Sequence, residues 1–196
     1  IFFLRSLAIY LQKEYNLDPK KTFCTGMSNG GDMSYLLGCK ASNIFKAIAP
    51  ITGCMMKWIY DSCDNNDPIS VFQIHGTKDN ITYYDGDIDN KYNWGSYMGV
   101  ELAIDFWVDR NQCTSLEVDT LPDHNKKDGS YIISEKYING FNKNEVWFYK
   151  IINGGHDWPQ ISSQNSGNKD INTSEEIWKF FQKYIDSGRN VSLNKN

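Results

Sequence analysis

The sequence predicts an α/β domain built on a mostly parallel, doubly wound sheet, and three observations predict it. Short β-type apolar runs alternate with stretches of helical apolar spacing. No repeat and no break in composition divides the 196 residues. A 40% apolar share with 14% aromatic residues suits one globular domain and argues against disorder over most of the chain.

Phe3, Leu4, Leu7, Ala8, Leu11 and Tyr15 recur at helical spacing and predict an opening amphipathic helix. The chain starts inside that helix, with no basic leader and no small-residue cleavage site, so further sequence is expected upstream of Ile1. Asn16-Leu17-Asp18-Pro19 reads as a turn, since proline disfavours helix at the residue before it. Lys21–Thr25 is a short strand that stops at Gly26, and Met33, Leu36 and Leu37 open a helix expected to fade at Gly38. Phe45–Thr52 and Val71–His75 are further apolar strand runs. Val100, Ile104, Trp107 and Val108 mark a helix between about 96 and 111. Tyr131–Ile138 and Glu145–Ile152 read as a strand pair joined through Asn139-Gly140. Thr173-Ser174-Glu175-Glu176 is a capping-box pattern before the buried face Ile177, Phe180, Phe181 and Tyr184. The domain is expected to cover 1–186, with 187–196 as a frayed polar tail.

Charge and cysteines narrow the function classes. Twenty Lys+Arg against twenty-four Asp+Glu give −4, with no basic cluster to neutralise phosphates, so no nucleic-acid partner is expected. The longest apolar stretches, Ile1–Leu4 and Ile44–Gly53, are too short to span a bilayer, so no membrane partner is expected either. Five cysteines without a C-x-x-C pair argue against a zinc ribbon. Cys24 reads as a core thiol, and Cys54 and Cys63, flanking one short loop, as the best disulfide candidate. Disulfide use favours an oxidising compartment.

The segment richest in chemistry is Gly26-Met27-Ser28-Asn29-Gly30, a G-x-S-x-G between a predicted strand and a predicted helix. A serine on so sharp a turn projects its hydroxyl above the sheet. Gly26 and Gly30 are expected to be the positions where a Cβ would collide, and Gly31 to permit close helix–strand approach. The helix start near Asn29 turns its positive dipole end and free N–H groups toward a reacting carbonyl, which makes the Asn29 amide an oxyanion donor.

A serine needs a base, and there are three histidines. His124 lies in a polar loop, and His75 ends an apolar strand, where a hydrogen-bonded packing role fits it. His156 follows a strand and the flexible Gly154-Gly155 pair, at the carboxyl end of the sheet where open α/β sheets bind ligands. Asp79, just past the strand Val71–His75, completes the chain order Ser28, Asp79, His156. Asp85, Asp87 and Asp89 compete as acids and mimic the start of a calcium loop. Their sixth position is Asn90 and their twelfth Ser96, against the glycine and glutamate such a loop requires. No metal or organic cofactor is called for. Tyr83, Tyr84, Trp94 and Trp158 are candidates to line an acyl or aryl pocket, with core packing as the alternative.

Gly26-Met27-Ser28-Asn29-Gly30-Gly31, His75-Gly76-Thr77-Lys78-Asp79 and Gly154-Gly155-His156-Asp157-Trp158-Pro159 together resemble the poly(3-hydroxybutyrate) depolymerase / feruloyl esterase group of secreted α/β-hydrolases. Phe106-Trp107, Arg110-Asn111-Gln112-Cys113 and Tyr84-Asp85-Gly86 extend the resemblance, which runs from about Ile1 to Phe181. It implies an α/β-hydrolase fold whose first strands lie outside this chain, and serine-dependent ester hydrolysis through an acyl-enzyme. It further implies Ser28, Asp79 and His156 as the triad, and a secreted or periplasmic location. The substrate it implies is an ester, either a polyester or an esterified plant polysaccharide. Asp157 stands where that group commonly has a small hydroxyl residue. Two other readings compete: a serine peptidase of the prolyl-oligopeptidase type, which also carries G-x-S-x-G-G, and a catalytically inert module.

In the resembled group the second oxyanion amide comes from a loop upstream of Ile1. Loss of one such donor costs about 10²–10³ in turnover. Residues 1–196 alone are therefore expected to hydrolyse p-nitrophenyl acetate far more slowly than a protein carrying the upstream strands; equal turnover by the two would refute this.

Overall fold

The structure, a computed structural model, describes residues 1–63, 68–162 and 167–186. Helix α1 (Phe2–Glu14) leads through a 3-10 turn at Pro19–Lys21 to strand β1 (Phe23–Met27) and helix α2 (Asn29–Lys40). Strand β2 (Ala47–Ile51), helix α3 (Lys57–Ser62) and strand β3 (Ser70–Gly76) follow. Helix α4 (Val100–Asn111), strands β4 (Ser115–Thr120), β5 (Tyr131–Ile138) and β6 (Val146–Ile152), and helix α5 (Thr173–Asp186) complete the order. The expected tail at 187–196 lies outside the described residues.

The six strands form one sheet in the order β1-β2-β3-β6-β5-β4. The β1–β2, β2–β3 and β3–β6 pairs are parallel, and β5 pairs antiparallel with both β6 and β4. The sheet is therefore mostly parallel, as the alternating pattern predicts. Strand β4 escapes sequence reading because Ser115–Thr120 is exposed throughout and carries no buried face.

Alternation along the central strands sorts the core onto two faces. Ile48, Val71, Val146 and Phe148 meet Tyr35 and Cys39 of α2, Ile59 of α3 and Ile104 and Trp107 of α4. The intervening residues Ala47, Ala49, Ile51, Phe72, Ile74, Trp147, Tyr149 and Ile151 meet Ile177, Phe180 and Phe181 of α5. Period-2 alternation with apolar residues at both phases is what a strand covered on both faces requires. β2 and β3 are buried at every position, and each fully buried Ile or Phe there contributes about 1.5–3 kcal/mol.

Four local expectations are corrected. Helix α2 runs past Gly38 to Lys40, because a Cβ at Gly38 would lie 2.8 Å from Ile48 Cδ1: this glycine sets the helix close to the sheet instead of ending the helix. The predicted face of α1 packs through Leu4 and Ala8 against Leu37, Ala41, Ile44 and Phe45, while Phe3, Leu7, Leu11 and Tyr15 are exposed. At α5 the capping residue is Asn172, whose carbonyl accepts from the Glu175 and Glu176 N–H groups and whose amide donates to Glu175 Oε1 at 3.1 Å. Among the described residues the Thr173 hydroxyl is buried without a partner, and Glu176 instead accepts from the Tyr149 hydroxyl at 2.9 Å.

The fourth correction is the disulfide. Cys63 bonds Cys39, with Cα atoms 5.0 Å apart, and Cys54 is a buried free thiol. Helix α3 intervenes between Cys54 and Cys63 and delivers Cys63 to the end of α2, where Cys39 waits. A non-reducing peptide map should join the Cys39 and Cys63 peptides. Cys63→Ser, which opens a loop spanning 24 positions, should lower unfolding free energy by about 2–4 kcal/mol. A Cys54–Cys63 peptide would overturn the pairing.

Candidate active site

Four parallel strands end at one rim, and their ends are stitched stepwise. The Ser28 N–H donates to the Ile51 carbonyl at 2.9 Å, the Thr52 N–H to Ile74 at 2.8 Å and the Thr77 N–H to Ile151 at 2.9 Å. These bonds hold the loops after β1, β2, β3 and β6 at a common level. All three residues of the predicted triad sit on those loops.

Ser28 connects β1 to α2 with φ 55° and ψ −121°, a backbone conformation that a residue with a Cβ rarely adopts. Its carbonyl accepts from the Gly31 N–H at 2.7 Å and the Asp32 N–H at 3.0 Å, so the strained serine is also the N-cap of the helix. A Cβ at Gly26 would lie 2.7 Å from Gly30 Cα, which fixes the requirement for glycine there. Gly30 itself has open space where a Cβ would go, so the expected collision is one-sided. A Cβ at Gly31 would lie 2.7 Å from Gly53 Cα, so the start of α2 presses directly on the loop after β2. Asn29 is exposed at the first position of α2, where backbone N–H groups have no helical acceptor.

Asp79 is buried, and its carboxylate is surrounded by donors. Oδ1 accepts from the Ile81 and Thr82 N–H groups at 2.8 and 2.9 Å. Oδ2 accepts from His156 Nδ1 at 2.8 Å, faces the Thr82 hydroxyl at 2.9 Å and lies 3.3 Å from His75 Nε2. Burial pushes the acid up, but the bonds from His156, His75 and the Ile81 N–H outweigh it and hold the carboxyl well below the usual carboxylate range. His156, 15% exposed, spends Nδ1 on this bond and keeps Nε2 for other chemistry. The Ser28 hydroxyl makes no hydrogen bond among the described residues. The structure thus joins Asp79 to His156 and sets Ser28 on the same rim, unbonded. Such bonds often close only when substrate is present.

The competing acids have other tasks. Asp87 is buried and accepts from the Lys91 and Tyr92 N–H groups, while Asp85 and Asp89 are exposed. Among the described residues no group of three or more His, Cys, Asp or Glu side chains is placed to hold a metal ion. His124 is exposed, and His75 is fully buried and hydrogen-bonded. Of the candidate pocket residues, Tyr83 stacks on Tyr92 at 4.4 Å between centroids and Trp94 is exposed. Tyr84 packs over Phe148 with its hydroxyl on Glu101, and Trp158 lines a cavity of about 270 Å³ with Gln160, Asn172 and Glu175.

Sequence reasoning passed over Thr82, which serves the site through its N–H, its carbonyl and its hydroxyl. Its N–H holds Asp79 Oδ1, and its carbonyl accepts from His75 Nε2 at 2.9 Å. Its hydroxyl lies 2.6 Å from the Thr52 carbonyl and 3.2 Å from His156 Nδ1. The one available signal was its position three residues past Asp79, where a Thr hydroxyl reaches back to the carboxylate. Asp157, beside His156, accepts from the Asn168 N–H at 2.8 Å, and burial pushes its carboxyl up.

Because Asp79 titrates lower in the folded chain than in the unfolded one, its contribution to stability is complete above the unfolded value of about 4. It is lost as pH falls through the depressed folded value. Asp79→Asn should therefore lower Tm at neutral pH and flatten the acid limb of Tm against pH. Equal acid limbs in the two proteins would contradict this.

Comparisons with known proteins find esterases similar in sequence and in fold. Residues 5–93 match the Prolyl oligopeptidase family. Over 188 residues the chain is 27% identical to a probable feruloyl esterase C of Aspergillus niger, covering 92% of this chain and 57% of that protein. It is 27% identical to feruloyl esterase B of Piromyces equi over 79% of this chain and 28% of that protein. The chain thus spans between about a quarter and three fifths of the length of these curated relatives. Its fold is that of an acetyl xylan esterase from Aspergillus awamori, with TM-score 0.56 and 11% identity over 91% of this chain and 65% of that one. With the serine elbow and the Asp–His pair on one sheet rim, the chain has the α/β-hydrolase fold and is similar in sequence to feruloyl esterases.

Proposed function

We propose that residues 1–186 form the catalytic part of a serine esterase that cleaves carboxylic esters through an acyl-enzyme. The observation that carries this reading is the 2.8 Å bond between Asp79 Oδ2 and His156 Nδ1, on the rim that holds the strained Ser28 elbow. Asp79, ionised and fully bonded, keeps the His156 proton on Nδ1 and leaves Nε2 as the base. His156 Nε2 takes the Ser28 proton as the Ser28 oxygen attacks the ester carbonyl, and the Asn29 N–H holds the developing oxyanion. His156 then returns the proton to the leaving alcohol. Water, activated by the same nitrogen, releases the acid and restores Ser28. Every step is a proton or acyl transfer among these side chains, ester and water.

The feruloyl and acetylxylan esterases among the relatives favour an esterified plant polysaccharide as substrate, ahead of a polyester. Tyr83, Trp94 and Trp158 are the aromatic residues we assign to substrate contact, while Tyr84 packs over Phe148. Export from the cell fits the Cys39–Cys63 disulfide, since such bonds persist in oxidising compartments. A second reading, cleavage of peptides, has one observation in its favour: the match of residues 5–93 to the Prolyl oligopeptidase family.

A fluorophosphonate probe should label the protein at Ser28, and Ser28→Ala should abolish both labelling and turnover of methyl ferulate. His156→Ala should remove turnover and also lower Tm, because it takes a hydrogen bond from the buried Asp79 carboxylate. Turnover of peptide anilides above that of ferulate and acetate esters would transfer the assignment to the peptidase reading. Absence of labelling in folded protein would end both.

A further inference from the structure

The hydrolytic steps use neither His75 nor the buried polar groups behind it, yet these groups form a continuous chain. The Tyr35 hydroxyl, on α2, donates to Gln73 Oε1 at 2.9 Å. Gln73 Nε2 donates to the Gly53 carbonyl at 3.2 Å and contacts His75 Nδ1 at 2.9 Å. His75 Nε2 meets the Thr82 carbonyl at 2.9 Å and Asp79 Oδ2 at 3.3 Å. Tyr35 is 1% exposed and Gln73 and His75 are fully buried, so none of these groups can exchange its partners for water.

The directions of the bonds follow from chemistry. A carbonyl only accepts, so the Gly53 oxygen requires the amide nitrogen of Gln73 on its side. Gln73 Oε1 then faces Tyr35, which donates to it. The same amide nitrogen donates to His75 Nδ1, which must carry a lone pair. The His75 proton therefore sits on Nε2, aimed at the Thr82 carbonyl and the Asp79 carboxylate.

We propose that His75 is a positioning residue for the catalytic acid, locked as its Nε2–H tautomer by Gln73 and Tyr35. This rests on the esterase reading above for its kinetic consequences, though not for the bonds themselves. His75 holds the turn from Asp79 to Thr82 by its carbonyl, and that turn supplies both N–H groups to Asp79 Oδ1. Its proton also covers the flank of Oδ2 that His156 leaves open. Two imidazoles thus address one carboxylate oxygen: His156 moves protons, and His75 keeps the acceptor in place. Tyr35 belongs to the helix that Ser28 caps, so the chain also ties the helix of the nucleophile to the turn of the acid.

A purely architectural explanation is weaker. Burying polar groups carries a desolvation cost that their hydrogen bonds must offset, and apolar side chains on β3 would pack against α2 without that requirement. His75 and Gln73 alternate with Phe72 and Ile74, which already supply the apolar packing on the other face.

Three variants test the proposal in the whole protein. His75→Leu removes the donor, His75→Gln keeps an N–H near the Nε2 position, and Tyr35→Phe removes one oxygen at the far end of the chain. With methyl ferulate, His75→Leu should lower kcat about 10- to 100-fold through a displaced acid, with KM held within about twofold. His75→Gln should recover most of the loss, and Tyr35→Phe should give a smaller fall in kcat alone. The downfield proton resonance of His156 Nδ1–H, identified by its loss in His156→Ala, reads the same contact without any turnover. It should shift in His75→Leu, shift less in Tyr35→Phe and return toward wild type in His75→Gln. An unmoved resonance in Tyr35→Phe and in folded His75→Leu would overturn the positioning role, as would a His75→Gln variant as slow as His75→Leu. Should His75→Leu not fold, the resonance and kcat of Tyr35→Phe and His75→Gln decide the matter. If wild-type protein shows the resonance and its predicted shifts but turns over no ester, the esterase reading fails and the positioning role stands.

Discussion

The burial of one ionised carboxylate governs the arrangement around it. Asp79 has lost water on nearly every side, and an uncompensated charge in such a place costs several kcal/mol. Its two oxygens are met by backbone N–H groups of its own turn and by side chains from β3, from the loop after β6 and from Thr82. Those partners arrive from strands that are neighbours in space and far apart in sequence: His75 and His156 are separated by 81 positions. The sheet must be assembled before the charge can be tolerated, so the fold and the acid are mutually dependent.

A parallel sheet suits that task because every parallel strand delivers its carboxyl end to the same side. Here the ends are bonded in sequence across the rim, from Ser28 to Ile51, Thr52 to Ile74 and Thr77 to Ile151. Ser28 and Thr52 both take positive φ at consecutive strand ends, and for a β-branched threonine that is a costly conformation. The strain is held by tertiary bonds: the Thr52 N–H donates to Ile74, and its carbonyl accepts from the Thr82 hydroxyl. Strain of this kind persists only where surrounding structure over-determines it. Around Ser28 and Thr52 that surrounding structure is also the machinery assigned to ester cleavage.

The two faces of the sheet divide the labour. One face carries α2, α3 and α4 and is pinned by the Cys39–Cys63 bond between the ends of α2 and α3. Polar residues of β3, Gln73 and His75, enter this face and join Tyr35. The opposite face is closed by α5 with an aromatic cluster of Phe72, Trp147, Tyr149 and Phe180, and needs no polar chain. The helix that Ser28 caps therefore rests on the face that reaches Asp79.

The sequence by itself determined the elements with strong periodicity and singled out the residues proposed to carry the chemistry. G-x-S-x-G between a strand and a helix marked Ser28 because the turn demands glycine at Gly26, and local sterics are legible in local sequence. Strand-end placement likewise singled out Asp79 and His156, since apolar runs announce where strands stop. Only the tertiary structure decided which groups meet. It paired Cys63 with Cys39 because α3 carries the thiol away from Cys54, a direction that spacing does not encode. It made Thr82 a hub through a contact with His156 across 74 positions, and made His75 a second partner of Asp79, four residues on, by burying both beneath the neighbouring strands. It also left α1 with Phe2 and Phe3 exposed and passed the cap of α5 from Thr173 to Asn172. Periodicity states which side of an element is apolar; what covers that side, and where each proton points, is fixed by the neighbours that folding supplies.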